Sequence, residues 1–337
     1  MMPLHVAVGV IADAQGQILI ARRPPGTHLA GLWEFPGGKL EAGETVQQAL
    51  ARELDEELGV RVQSLRPLIK LRHVYPEREV LLDVWRVTAF DGMAHGRENQ
   101  PLAWVAPGDL QQYAFPAGNL PIISAVRLPD CYAVLDVRPE DGASAALRRL
   151  ESLAEQGITL AQLRAKHLEE ADYRRLARRL LRRAEALRVA VLLNAAPHLA
   201  EELGAAGVQL AARRLMALTQ RPLPAALWLA ASCHNAQELA QAERIGADFA
   251  VLSPVQPTAT HPGAPALGWP RFAAWVESAR IPVYALGGVG PADLAGAWRH
   301  GAQGIAAIRA FLPHPKPGVL NAVSTAPARC APDARHS

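Results

Sequence analysis

Residues 38–60 read GKLEAGETVQQALARELDEELGV. From Glu44 onward this stretch predicts a helix. Val46, Leu50, Leu54 and Leu58 recur every four residues, and Ala49 widens the stripe into a core face. Gly59 ends it as a left-handed cap. Off the stripe, Glu53, Glu56 and Glu57 stand at i, i+3 and i+4, so three carboxylates share one face. Like charges at that spacing repel by about 0.2–0.5 kcal/mol per pair. They also fall near the end of the helix where the dipole disfavours anions. A helix selected for stability alone would not carry them there. A bound divalent cation reverses the sign of both penalties, and hard carboxylate oxygens suit Mg²⁺ or Mn²⁺ with substrate phosphates completing the shell. The alternative is a solvated acidic face, helped by Arg52 pairing with Glu56 one turn on.

The chain has 337 residues, half of them apolar, with a net charge of +3. That length predicts about two domains with sizeable cores. The charge is too mild to argue for nucleic-acid or membrane binding. No apolar run approaches the roughly 20 residues of a membrane span, and the start lacks a charged-then-apolar export signal. Cys131, Cys233 and Cys330 are far apart without a CxxC pair, as expected of reduced thiols in a cytoplasmic protein.

Around the acidic helix, 4–11 and 17–21 read as strands joined by the turn Asp13-Ala14-Gln15-Gly16. Arg22 and Arg23 follow. Pro36-Gly37-Gly38 lets backbone approach a ligand closely, or is a plain turn. Beyond the helix, 62–74 and 80–90 predict strands with Arg78 between them. A loop over 91–101 carries Glu98, Trp104-Val105 is a short strand, and Phe115-Pro116-Ala117-Gly118-Asn119 precedes a short helix, 120–127.

The spacing Gly38-x5-Glu44-x7-Arg52-Glu53-Leu54-x-Glu56-Glu57-x-Gly59-Val60 resembles the Nudix box with no departure. Residues 1–128 as a whole resemble the MutT-type branch of Nudix hydrolases. The match includes VAVGVI, the pair Arg22-Arg23, EFPGGKLE, Glu98 in an ENQP loop and FPxxN ending at Asn119. The resemblance implies an α/β/α sandwich and a diphosphatase that cleaves oxidised guanine nucleoside triphosphates to monophosphate and pyrophosphate. It implies metal ligation by Glu53, Glu56, Glu57 and the Gly38 backbone, with Glu98 a further ligand or the base and Arg52 part of the catalytic box. It makes Arg23 a phosphate contact, Phe35 and Asn119 purine contacts, and Arg78 a neighbouring one.

The chemistry has its own logic. A triphosphate's charge must be neutralised before water attacks phosphorus, and metal ions do this while acidifying a bound water. A carboxylate within reach takes the proton. Asn119 offers a donor and an acceptor from one amide, which suits a base whose N7 carries a proton and whose O6 accepts, as in 8-oxoguanine. Ordinary guanine breaks that contact, and an unpaired buried polar group discriminates by about 10⁴-fold. Other readings stand beside these: Asn119 as a helix N-cap, Glu98 facing only solvent, Arg78 as a surface residue. His28 has no assigned role.

Past Arg127-Leu128-Pro129-Asp130 the pattern changes to short apolar runs between Arg- and Ala-rich helices. Eight runs (132–137, 158–164, 189–194, 208–210, 227–232, 249–253, 283–287 and 304–308) predict a compact (β/α)₈ TIM barrel over 130–312. In this architecture sites lie at the strands' C-terminal ends, with phosphate often after strands 7 and 8, where Gly287-Gly288 and Ala307-Ile308-Arg309 fall. The landmarks QLRAK, LLNA, GVQL, SCHN, LSPVQPT, LGGV and GIAAI resemble the thiamin-phosphate synthase and thiazole tautomerase superfamily, more loosely than in the first domain. Three departures stand out. Ala195 replaces the Asp after the strand-3 Asn, Arg213-Arg214 replace an acidic pair, and His261 replaces the usual lysine. Without those acids a magnesium–pyrophosphate leaving group lacks an anchor, so the resemblance implies a barrel degenerate as a synthase. It leaves one that holds a thiamin-related phosphate, turns over as a tautomerase through His234 beside Ser232, or only binds, and the fusion leaves a thiamin-related pyrophosphate as the alternative substrate of the first domain. Arg164 and Lys166 are candidate phosphate contacts, Lys166 equally a surface residue. Cys233, without a flanking base, reads as inert. The remainder, 313–337, is rich in Pro, Ala and small polar residues and reads as a disordered tail.

Overall fold

The computed structural model describes residues 3–27, 29–75, 78–258, 263 and 265–311. The predicted tail, 313–337, and His28 and His261 lie outside the described residues. The amino-terminal unit runs β1 (Leu4–Ile11), β2 (Ile18–Arg22), β3 (Trp33–Glu34), β4 (Gly37–Lys39), α1 (Val46–Leu58), β5 (Arg61–Val74), β6 (Glu79–Asp91), β7 (Leu102–Val105) and α2 (Leu120–Arg127). One sheet has the order β4-β1-β6-β5, and a smaller one the order β3-β2-β7. β1 is parallel to β6 and antiparallel to β4, with Ala7 opposite Gly38.

The two-residue period of β1 sends alternate side chains to opposite faces. Ala7 and Ile11 face α1, meeting its buried Ala49, Leu50, Leu54 and Leu58. Val8 and Val10 face the other layer, meeting Ile122, Ile123, Ala125 and Val126 of α2. This is the α/β/α sandwich. Gly9 lets α1 settle on the sheet: a Cβ there would lie 3.2 Å from the Leu50 and Leu54 methyls.

The acidic helix starts later than its composition predicts. Thr45 is the N-cap, with a reciprocal capping box to Gln48, and Glu44 stands outside. A threonine hydroxyl that satisfies an orphan N–H makes a better helix start than a glutamate. Gly59 closes the helix at φ 69°, as its position predicts.

The second unit alternates β8 (Cys131–Asp136), α3 (Ala143–Glu155), β9 (Leu160–Arg164), α4 (Glu170–Leu187), β10 (Ala190–Leu193), α5 (Pro197–Leu203), β11 (Gly207–Leu210), α6 (Ala212–Met216), β12 (Trp228–Cys233), α7 (Ala236–Arg244), β13 (Phe249–Leu252), α8 (Gly268–Val276), β14 (Val283–Leu286), α9 (Leu294–Arg299) and β15 (Gly304–Ala307). All eight strands are parallel and close into a barrel. Each lies within two or three residues of its predicted run. Tyr132, Phe249 and Tyr284 fill the amino-terminal end of the interior, their rings 5.5–5.6 Å apart, and Leu128 from the connecting segment joins them.

Leu54 is fully buried between α1 and β1. Leu54→Ala is expected to cost about 2–5 kcal/mol of stability, read as a lower denaturant midpoint for the amino-terminal unit.

Candidate active site

The Gly-rich turn and α1 are locked together by one guanidinium. Arg52 donates to Glu44 Oε1 and Oε2 at 2.8 and 2.9 Å, to Glu53 Oε1 at 2.9 Å and to the Lys39 carbonyl at 3.2 Å. The predicted partner, Glu56, is the weakest contact at 3.4 Å. Glu44 wins because its two oxygens match the planar fork of the guanidinium. Those hydrogen bonds hold the Glu44 carboxyl down at about 2. Glu44 belongs to the sequence motif, yet its role as the anchor of Arg52 is not visible from spacing alone.

Gly38 sits directly under Glu53. A Cβ at Gly38 would fall 2.1 Å from the Glu53 carboxyl carbon, so the position admits no side chain while Glu53 holds this place. Glu53 is 17% exposed and Glu56 is 62% exposed. Glu57 is half-buried, and its carboxyl is pushed up to about 8. Burial is the main cause, followed by the negative charges of Glu53, Glu98 and Glu34, against an N–H donated by Gly37.

Glu98 comes from the loop after β6, and the structure shows what carries it there. The His95 and Arg97 amides donate to the carbonyls of Leu58 and Glu57. The Arg97 guanidinium donates to the Asp55 carbonyl at 2.7 Å. Buried Gln100 donates to the Glu57 carbonyl at 3.1 Å and accepts from the Glu98 amide at 2.9 Å. The loop thus caps the orphan carbonyls of α1 and delivers a carboxylate to Glu57. The sequence reading missed Gln100; its only signal was a polar residue beside the ENQP loop's proline.

Glu98 itself is exposed. Among the described residues, no three His, Cys, Asp or Glu side chains already surround a point that could hold a metal ion. Arg52 engages Glu53 and Glu56 instead. The donor set still fits a hard divalent cation: it is all oxygen, and it gathers the negative charges of Glu53, Glu98 and Glu34 close enough to raise the Glu57 carboxyl.

Of the predicted base contacts, Phe35 belongs to the core cluster that α2 covers. Phe35 is only 3% exposed and stacks on Phe115 at 5.3 Å, so the core claims most of its ring. Arg23 pairs with Glu34. Asn119 occupies the N-cap position of α2, but its side chain makes no capping bond, leaving the amide for other partners. The turn before it is crowded: a Cβ at Gly118 would lie 3.0 Å from the Tyr75 hydroxyl and 3.1 Å from the His73 ring. Arg78 is exposed in the hairpin between β5 and β6, where its amide and carbonyl pair with those of Tyr75.

Residues 7–125 match the NUDIX domain model, and residues 131–311, over half of the chain, match the model of thiamine monophosphate synthase. The chain belongs to both families.

Its Nudix domain is 39% identical over 127 residues to the 8-oxo-dGTP diphosphatase of Escherichia coli (strain K12), covering 38% of this chain and 98% of that protein. It is also 36% identical over 124 residues to the CTP pyrophosphohydrolase of the same organism, covering 37% and 92%. The synthase-like barrel is 35% identical over 188 residues to a thiamine-phosphate synthase of Thermus thermophilus, covering 55% and 90%. The first domain is a Nudix hydrolase, acting on pyrophosphate bonds. No helix among the described residues is long and apolar enough to cross a membrane.

At the barrel mouth Arg164 is ion-paired with Asp136 and Lys166 is exposed in the turn after β9. Ser232 Oγ accepts from Gln209 at 3.0 Å, and Gln209 accepts from the buried Tyr132 hydroxyl at 3.0 Å. His234 follows β12, exposed, with Nδ1 2.9 Å from the Ser253 carbonyl. The Ser253 hydroxyl lies 3.3 Å from the same nitrogen, so Ser253 holds the ring through Nδ1. Gly287 and Gly288 adopt φ of 97° and 69°, and a Cβ on either would collide with residues 254–257. The Cys233 thiol is buried and pushed up, chiefly by desolvation, as expected of an inert cysteine. Arg213 and Arg214 are exposed on α6.

The Glu57 shift sets a pH dependence. The unfolded carboxyl titrates near its ordinary 4.5 and the folded one near 8. Between those values the unfolded chain releases the proton first, so rising pH favours unfolding. Metal-free protein is expected to lose stability across that window, and Glu57→Gln to flatten the loss, read from thermal midpoints at stepped pH.

Proposed function

We propose that the Nudix domain, 1–128, is a divalent-metal-dependent nucleoside triphosphate pyrophosphohydrolase acting on 8-oxo-dGTP. The observation that carries this reading is the crowding of Glu53, Glu98 and Glu34 around a half-buried Glu57 whose carboxyl they push up, beside the Gly38 turn. Glu53, Glu56, Glu57, Glu98 and the Gly38 carbonyl would hold Mg²⁺ or Mn²⁺. Such an ion supplies charge neutralisation of the phosphates and a more acidic water. Arg52 keeps Glu53 over Gly38, and Arg23 stands ready to exchange Glu34 for a phosphate oxygen. Glu98, exposed at the edge, would take a proton from water. The uncapped Asn119 amide supports a base with N7–H and O6, with Phe35 and Arg78 as the further proposed contacts. The relatives' names support a triphosphate in general, and Asn119 supports the oxidised purine over the pyrimidine.

The barrel, 130–312, would hold a thiamin-related phosphate. Arg213-Arg214 and Ala195 stand where a synthase needs acids, which supports a barrel degenerate as a synthase. The exposed His234 ring, held at Nδ1 by Ser253, supports tautomerase chemistry as the alternative to pure binding, with Ser232, Arg164, Lys166, Gly287 and Gly288 around the mouth. Neither nucleic acid nor membrane is an expected partner, and the expected compartment is the cytoplasm.

Glu53→Gln is expected to lower kcat by about 10²–10⁴-fold while nucleotide binding persists. Near-normal kcat with Mg²⁺ present would overturn the assignment. Comparing kcat/KM for 8-oxo-dGTP, dGTP, CTP and thiamin diphosphate tests the substrate, with the first expected to lead.

A further inference from the structure

α2 is an eight-residue helix with two unlike ends. Its amino-terminal end carries Asn119. Its carboxyl-terminal end leaves carbonyls that no intrahelical N–H can satisfy, and those carbonyls point into the seam between the two domains. The barrel answers them. Gln303, the residue before β15, is 1% exposed, and its Nε2 donates to the Ala125 carbonyl at 3.0 Å and the Leu128 carbonyl at 3.1 Å. From the Nudix side, Arg86 donates to the Val126 carbonyl at 3.2 Å. Both are deeply placed: burial holds the Arg86 guanidinium below its usual range, and buried Arg86 Nε and Gln303 Oε1 find no partner among the described residues. The seam is pinned alongside by Arg66, which bonds Asp130 at 2.5 Å and lies 4.1 Å over the Trp298 ring.

A two-turn helix has little stability of its own. Its position follows from what its ends touch. Its middle is held by Ile122, Ile123, Ala125 and Val126 in the core, which fixes its height over the sheet. The end bonds fix its slide and rotation, and a shift of half an ångström at Asn119 is enough to spoil a bidentate contact.

We propose that Gln303 of the barrel is a positioning residue for base selection in the Nudix domain, acting through α2 on Asn119. The synthase-like barrel thereby sets the nucleotide selectivity of its neighbour, whatever ligand its own mouth takes. This rests on the reading of Asn119 as the base contact.

The test is a double-mutant cycle on the full chain, read as the ratio of kcat/KM for 8-oxo-dGTP over dGTP. Gln303→Met keeps the length of the side chain and removes the donor. It is expected to lower that ratio about tenfold, through KM for 8-oxo-dGTP, with kcat unchanged. In an Asn119→Ala background Gln303→Met is expected to change nothing further. A ratio unmoved by Gln303→Met, or an equal drop in both backgrounds, would overturn the proposal. An unchanged ratio in Asn119→Ala alone would instead overturn the reading of the base contact. Gln303→Glu gives a second readout should the Met variant fold poorly. Its protonated acid donates one hydrogen bond and its ionised form repels both carbonyls, so the ratio is expected to be retained at low pH and lost as pH rises. A flat profile contradicts the proposal.

Discussion

The Arg52 guanidinium is the contact on which the geometry of the first domain's acidic face depends. It ties the Gly-rich turn to the middle of α1 through Glu44, Glu53 and the Lys39 carbonyl. With that cross-brace, Glu53 can lie on bare glycine backbone at Gly38, and Glu57 can stand beside other carboxylates without the turn springing away. The second brace is the loop after β6. Its amides, Arg97 and Gln100 satisfy the last carbonyls of α1. That relieves the electrostatic conflict of an acidic helix end: donors have already met the carbonyls, so the carboxylates repel one another more than they repel the helix.

The two domains answer polarity differently. In the Nudix domain charge is left unbalanced at a solvent-reachable edge. In the barrel, the interior polar groups are largely paired off: Tyr132 to Gln209, Gln209 to Ser232, Arg164 to Asp136. A closed chain of this kind specifies how the barrel interior packs. His234 is exposed at the mouth, its Nδ1 held by Ser253.

The fold was readable because its periods were clean. β1 alternates faces, α1 repeats every four residues, and eight short apolar runs recur between helices. Boundaries were less legible where a cap decided them: Thr45 starts α1 because Gln48 reciprocates its hydrogen bond, a local choice that apolar spacing does not encode. The site was legible wherever its residues sit on one element, as with Glu53, Glu56 and Glu57. It was poorly legible where elements meet. Spacing paired Arg52 with Glu56, but the fold brings Glu44 closer. Phe35 carried no sign that Phe115 would stack on it, and Gln100 and Gln303 act through contacts 43 and 175–178 residues away, beyond any local pattern.

The central claim is that the acids around Glu57 form a cation site that a nucleotide completes. Calorimetry of Mg²⁺ uptake at pH 7 with a non-hydrolysable nucleotide, repeated in buffers of different ionisation enthalpy, addresses it directly. A carboxyl that titrates near 8 must give up its proton to ligate, so uptake should release protons, and Glu57→Gln should abolish that release. Absence of Mg²⁺ or Mn²⁺ uptake, or uptake with the same proton balance in both proteins, would contradict the account.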